Sequence, residues 1–217
     1  MSGIDWLLFG GTRNTGLEIA KLAINRGKRV SAMVRPESYD SALRSLGVSI
    51  IHGDAFSLND CIHAVKLTQP QYVISTMGGK NKDGRRICAI GNIHVAKALS
   101  HAKRLERYLL VTSMGCGDQY ATTSDQVKKF LGEALLAKTE AENFLQDSQL
   151  PWTIVRPGGL ENTPASGRYF LTTKPDKQHK SYLSRLDVAQ AIIQLLEDPY
   201  WLHRIVSVQN AALMEDK

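Results

Sequence analysis

The sequence predicts an α/β fold: a doubly wound, mostly parallel sheet of about seven strands, in one domain over residues 1–217. Three observations predict it. Short apolar runs alternate with longer amphipathic stretches along nearly the whole chain. The runs are apolar at consecutive positions, as strands buried on both faces must be. The first run passes directly into a glycine-rich turn that opens a helix.

Taken in order, strands are expected at residues 4–9, 29–34, 48–51, 71–76, 107–113, 152–155 and 204–208. Helices are expected between them at 15–26, 38–46, 58–66, 84–102, 127–147 and 185–197. In the first helix Leu17, Ala20, Leu22 and Ala23 make an apolar face, and Gly27 stands where a C-terminal cap belongs. The stretch 115–126 is polar and glycine-containing, so it reads as a loop. The stretch 158–184, with Pro164, Gly167 and Pro175, reads as a small irregular cap over the carboxyl ends of the strands. Open α/β sheets bind ligands at those ends.

Composition narrows the function classes. A chain of 217 residues buries enough surface to fold without disulfides or a structural metal. With 43% apolar and 22% charged residues it is neither disordered, collagen-like nor coiled-coil. No apolar run approaches the roughly 20 residues that span a bilayer, so no membrane partner is expected. The apolar run at 6–9 is too short for a secretory leader. Cys61, Cys88 and Cys116 are odd in number and far apart, which suits a reducing, cytoplasmic setting. A net charge of +6 permits an anionic ligand without requiring nucleic acid.

The turn reads Gly10-Gly11-Thr12-Arg13-Asn14-Thr15-Gly16. Between a strand and a helix, such a turn aims backbone N–H groups and the helix N-terminus at an anion, here a pyrophosphate. Two registers fit, with glycines at 10 and 16 or at 11 and 16. Both put Arg13 where a middle glycine is usual, which offers a cation near the cofactor. Gly11 and Gly16 also have phosphate-loop spacing, but Leu17-Glu18 replaces the Lys-Ser/Thr pair that would touch phosphate and magnesium. The plain alternative is a strand–helix turn that binds nothing.

The second strand ends Met33-Val34-Arg35-Pro36. NAD sites place an acid there for the ribose 2′-OH, whereas Arg35 suits a 2′-phosphate, with Arg13 as a second arm. NADP(H) is therefore expected over NAD(H). The alternative leaves Arg35 solvated and gives the ribose to Glu37. Asp54, in His52-Gly53-Asp54-Ala55, either accepts from the adenine amino group or shapes a turn.

These residues resemble a family. The segments Phe9-Gly10-Gly11-Thr12 with Gly16, Val34-Arg35 and Gly53-Asp54 match it, as do Leu110-Val111-Thr112-Ser113-Met114-Gly115 and Lys138-Thr139-Glu140-Ala141-Glu142. So do Trp152-Thr153-Ile154-Val155-Arg156-Pro157-Gly158-Gly159-Leu160 and Leu186-Asp187-Val188-Ala189. Together they resemble the atypical, NmrA-type short-chain dehydrogenase/reductases. Within these the chain is most similar to small NAD(P)H-binding proteins related to biliverdin-IXβ/flavin reductase and to the chloroplast translocon dehydrogenase-like proteins. The resemblance implies a seven-stranded Rossmann-type sheet and a nicotinamide cofactor. It implies that Thr76, Met77, Gly78 and Gly79 line the cofactor, with Ala55 beside Asp54 at the adenine end. Ser113 would lie near the nicotinamide, and Pro157, Gly158 and Gly159 would border it. Lys138 matches the lysine that holds the nicotinamide ribose and acts with Ser113 as the catalytic pair.

One departure matters most. Four residues before Lys138 the family's proton-donating tyrosine is replaced by Ala134. Hydride transfer needs positioning of nicotinamide against acceptor, so protonation would fall to water, the substrate or another group. Tyr120 is one substitute, against its plain reading as a packing residue.

Other candidates read more plainly. Among His52, His63, His94, His101, His179 and His203, only His94 and His101 share a helix face, and no third ligand is near, so no metal site is expected. Cys116 is a reactive thiol or a small loop residue. The basic stretches 26–29, 80–86 and 103–107 read as solvated surface, though the 80–86 loop stands where it would meet an acidic substrate group or cover the cofactor. Glu161 and Asn162 stand near the cap.

Three function hypotheses follow. The first is an NADPH-dependent reductase of a small conjugated acceptor. The second is an NADP(H)-binding redox sensor or assembly protein without turnover, which Ala134 favours. The third is a scaffold without cofactor. A monomer or weak homo-oligomer is expected.

Overall fold

The computed structural model describes residues 3–175 and 182–211. In chain order its elements are β1 (Trp6–Phe9), α1 (Asn14–Asn25), β2 (Val30–Val34), α2 (Ser41–Ser45), β3 (Ser49–His52), α3 (Leu58–Thr68), β4 (Tyr72–Ser75) and α4 (Ile87–Ala98). They continue as β5 (Arg107–Val111), α5 (Asp125–Gln146), β6 (Trp152–Pro157), β7 (Gly159–Glu161), β8 (Tyr169–Thr172), β9 (Tyr182–Ser184), α6 (Arg185–Glu197) and β10 (Arg204–Asn210).

Among the described residues, eight strands form one sheet in the order β3-β2-β1-β4-β5-β6-β10-β8. All neighbours are parallel except β8, which runs antiparallel to β10. The chain winds outward from β1 through β2 to β3, then crosses back to place β4 on the other side of β1. The winding thus reverses between β1 and β4, and the crevice where such sheets take ligands lies beyond their carboxyl ends.

Burial follows the strand period. Trp6 and Leu8 enter one apolar cluster, with residues of α1 and α6, while Leu7 and Phe9 enter the other, with residues of α3, α4 and α5. The same alternation separates Ala32 from Met33 and Val155 from Ile154. This is why consecutive strand positions are apolar.

The doubly wound fold stands as expected, with differences at its edge. The sheet has eight strands rather than about seven, and the stretch expected to be irregular holds three short strands. β8 joins the main sheet, and β7 pairs with β9 in a separate parallel ribbon, Gly159 opposite Tyr182. Residues 176–181 of that stretch, with His179, lie outside the described residues. The helix expected at 84–102 is shorter: it starts at Ile87, because Lys80 and Arg86 bridge across the loop, and its last turn, Leu99–His101, is 3-10. His101 thus falls beyond the α-helix, and the shared helical face with His94 is lost.

Candidate functional site

The crevice is built first by two glycines. Gly10 has φ +85°, and a Cβ there would stand 2.8 Å from Thr76 Oγ1. A Cβ on Gly16 would overlap the Gly10 carbonyl oxygen. Thr76 Oγ1 donates to that same carbonyl, at 3.0 Å, tying the ends of β1 and β4 together. Gly11 meets only ordinary contacts, so the register with glycines at 10 and 16 is the one the backbone requires. Arg13 needs no glycine, because its φ of −157° is extended. The left-handed conformation falls instead on Asn14, at φ +53°, a residue type that tolerates it.

The N-terminus of α1 suits an anion. Arg13 makes no capping hydrogen bond and the first turn carries no acid. Thr15 is buried, and its Oγ1 has no partner in the structure. The opposite wall is open, since a Cβ at Gly78 or Gly79 would touch nothing within 4 Å. An orphaned hydroxyl, uncapped N–H groups and an open wall fit a pyrophosphate. Thr12 is half-buried beside them.

At the end of β2, Arg35 is exposed and stands 3.5 Å from the Glu37 carboxylate. The two rival ribose residues are thus neighbours in one exposed pair. Asp54 does shape a turn: its Oδ1 accepts from the Phe56 N–H at 2.9 Å, while its own N–H donates to Asp60. Ala55 is buried, and its carbonyl meets His94 Nδ1 at 3.0 Å.

At the other end of the crevice, Lys138 Nζ donates to the Thr112 carbonyl at 2.7 Å, which sets the ammonium level with the end of β5. Burial holds this lysine below the usual lysine range. Ser113 follows directly and is half-buried. Pro157 ends β6 and accepts from the Met114 N–H, so the loops after β5 and β6 are joined. Gly158 donates to Val208, and the Tyr182 ring lies against Gly159. Met77 donates to Ser75 Oγ, which itself donates to buried Asn92.

At three positions the structure takes the plainer of the two readings. Tyr120 packs beside Gly132, its hydroxyl 3.2 Å from where a Cβ would stand, six residues ahead of Lys138. Cys116 is fully buried and burial pushes its thiol up to about 12, so it is no nucleophile. Lys80 and Arg86 are engaged with Glu133 on α5, at 2.7 and 3.0 Å, rather than held for a substrate. Asn162 accepts from Arg185, which fixes it to the start of α6. Among the described residues, no three His, Cys, Asp or Glu side chains are placed to hold a metal, and no helix is long and apolar enough to cross a membrane.

Sequence reasoning missed the ion pair behind the site. Arg156, in β6, donates twice to Glu142, at 3.0 and 2.6 Å, and once to Asp118 at 2.6 Å. Glu142 also accepts from Thr112 Oγ1 at 2.5 Å. The residue that holds Lys138 is therefore held in turn by a buried carboxylate. The available signal was an arginine inside an otherwise apolar strand, which demands a buried acid. A polar hollow of about 380 Å³, lined partly by Asp118, Gln119, Asn143 and Ser207, borders the pair and includes no residue of the glycine turn.

Comparison with known proteins agrees with this geometry. The NAD(P)H-binding family matches residues 10–199. A solved structure named as ChuY, an anaerobilin reductase from Escherichia coli O157:H7, is 31% identical, covers 96% of this chain and 98% of its own, and has a TM-score of 0.85. Sanguinarine reductase from Eschscholzia californica is 41% identical over 69 residues, 30% of this chain and 25% of that enzyme's length. A short-chain dehydrogenase/reductase from Veillonella parvula in complex with NADP shares the fold at 17% identity, with 97% and 96% of the two chains covered and a TM-score of 0.76. The chain belongs to the NAD(P)H-binding family.

Proposed function

We propose that this protein is an NADPH-dependent reductase that delivers hydride to a small conjugated acceptor without a tyrosine proton donor. The observation that carries the reading is Lys138 fixed on the Thr112 carbonyl while the position one turn before it is alanine. The ribose-holding half of the usual pair is kept and the proton-donating half is gone. The two named relatives that are reductases support the same class.

When bound, a reduced nicotinamide supplies the hydride. The chain's own residues do the rest. Gly10, Thr12, Arg13, Asn14, Thr15 and Gly16 hold the pyrophosphate. Arg35, with Arg13, takes the 2′-phosphate, and Asp54 and Ala55 meet the adenine. Thr76, Met77, Gly78 and Gly79 form one wall; Pro157, Gly158 and Gly159 border the nicotinamide. Lys138 orders its ribose and Ser113 polarises the acceptor. The proton comes from water or from the acceptor. The same reading takes the protein as cytoplasmic, monomeric or weakly self-associating, with no nucleic-acid or membrane partner.

The test is NADPH consumption with flavins, quinones, bilins and small carbonyl compounds, after NADPH binding is shown. Turnover with a flat conjugated acceptor is expected. Arg35→Ala should weaken NADPH binding about 10- to 100-fold, the range for a charge-assisted contact, and leave NADH within about twofold. Equal losses for both would remove the 2′-phosphate assignment. Ala134 also favours a second reading, a sensor or assembly protein; NADPH binding with no turnover of any acceptor would select it.

A further inference from the structure

Helix α5 is much longer than the strand before it. Its 22 residues span about 33 Å, whereas the five of β5 span about 17 Å. Lys138, thirteen residues past Asp125, is already level with the end of β5 through its bond to Thr112. About 20 Å of helix therefore overhangs the carboxyl edge of the sheet. Its two flanks are occupied. Glu133 holds the loop after β4 through Lys80 and Arg86, and Gly132 and Leu135 pack on the loop after β5, at Tyr120 and Gly115.

Between those flanks, on the side that Lys138 shows to the sheet, stand Val127, Leu131 and Ala134. Counted from Val127 they fall at i, i+4 and i+7, with Lys138 at i+11, so all four share one helical face. Phe130 borders the stripe. Further down, this face is buried against the sheet; above the edge no sheet lies beneath it. Val127, Phe130 and Leu131 are accordingly 38%, 72% and 51% exposed. The stripe runs without a charge to the lysine that marks the nicotinamide end; beside it, Lys128 is turned to the Ala121 carbonyl, at 3.3 Å, and to the Tyr120 ring.

We propose that this overhanging face, Val127, Phe130, Leu131 and Ala134, is the wall against which the acceptor lies, and that it selects a flat, apolar ring system. The proposal rests on the reductase reading above. Ala134 leaves room at the point where the acceptor comes down past the helix to Lys138. Continuity with Lys138 argues for an acceptor rather than a second copy of the chain, because a copy covering the stripe would close the crevice.

The full chain is titrated with FMN and with biliverdin, with and without saturating NADP+, followed by fluorescence quenching and absorbance. Leu131→Ser is compared with Leu136→Ser. Leu136 is equally exposed, at 52%, but lies on the solvent side of the same helix. Leu131→Ser should raise the dissociation constant of at least one probe about tenfold, by loss of apolar contact. Leu136→Ser should stay within about twofold, and neither should alter NADP+ affinity or the sedimentation coefficient. The proposal is overturned if the wild type binds neither probe, if the two variants behave alike, or if Leu131→Ser changes the association state, which would make the face a contact between copies. Failure of NADP+ to bind would sink the reductase reading, and the titration without NADP+ still decides the apolar wall on its own.

Discussion

Arg156 and Glu142 are 2% and 0% exposed and meet through two hydrogen bonds beneath the Lys138 end of the crevice. Removing one partner leaves the other charge buried and unpaired, a loss of about 3–5 kcal/mol. Glu142→Ala should show that loss in urea denaturation, whereas Asp118→Ala should cost little, since Asp118 is 82% exposed. Equal costs would mean that the pair is not the anchor. Lys138 adds a pH dependence. Burial disfavours its charged form, so the fold gains stability as pH rises from this lowered pKa toward the ordinary lysine value of about 10.4. Cofactor binding should run the opposite way, if the ammonium is what holds the ribose. NADPH affinity should fall as pH climbs through the lowered pKa, and Lys138→Met should flatten that limb. A wild-type profile that Lys138→Met reproduces at every pH would remove Lys138 from the site.

At the scale of elements, Asp187 shows what a short motif does. From the first turn of α6 it accepts from the Ser166 N–H and hydroxyl and from the Gly167 N–H, at 2.9, 3.0 and 2.9 Å, while 1% exposed. It fastens the loop that leads into β8. Asp187→Ala should cost about 2–4 kcal/mol through these lost bonds, and should open residues 163–168 to limited proteolysis before the rest of the chain. Unchanged cleavage would show the loop to be held elsewhere. The Leu186-Asp187-Val188-Ala189 segment was visible in the sequence as a resemblance, but not its three contacts, which join residues some twenty positions apart. Legibility divides the same way throughout. The central strands were readable because burial on both faces demands unbroken apolar runs, and α6 was readable to its last residue. β8 was not, because an edge strand needs one good face, and Tyr169-Phe170-Leu171-Thr172 lies between a glycine and a proline that read as loop. In the candidate site, the glycine turn was readable from local order, whereas Lys138 was named only through the family resemblance. The Arg156–Glu142 pair and the overhang of α5 depend on how far one element extends past another, which no local pattern encodes.

At the scale of the whole molecule, the two helical layers share one sheet whose strands are apolar on both faces. Losing the α3–α4–α5 layer would bare Leu7, Phe9, Val73, Leu110 and Ile154 together. Each such side chain is worth about 1.5–3 kcal/mol of burial. That penalty is of the order of a domain's whole stability, so neither layer should open alone. The cysteines make this testable. Cys61, Cys88 and Cys116 are all buried, in α3, in α4 and after β5. Burial pushes the thiols of Cys61 and Cys116 up to about 12 and raises that of Cys88 as well. At pH 8 a folded chain therefore presents neither access nor thiolate to a disulfide reagent. Reaction should wait for opening of the layer that holds them. With increasing urea, the three thiols should react as one phase, and its midpoint should overlay the loss of far-ultraviolet circular dichroism. A thiol that reacts well before the dichroism changes would show that its helix separates from the sheet as an independent unit, and the shared sheet would then not couple the two layers.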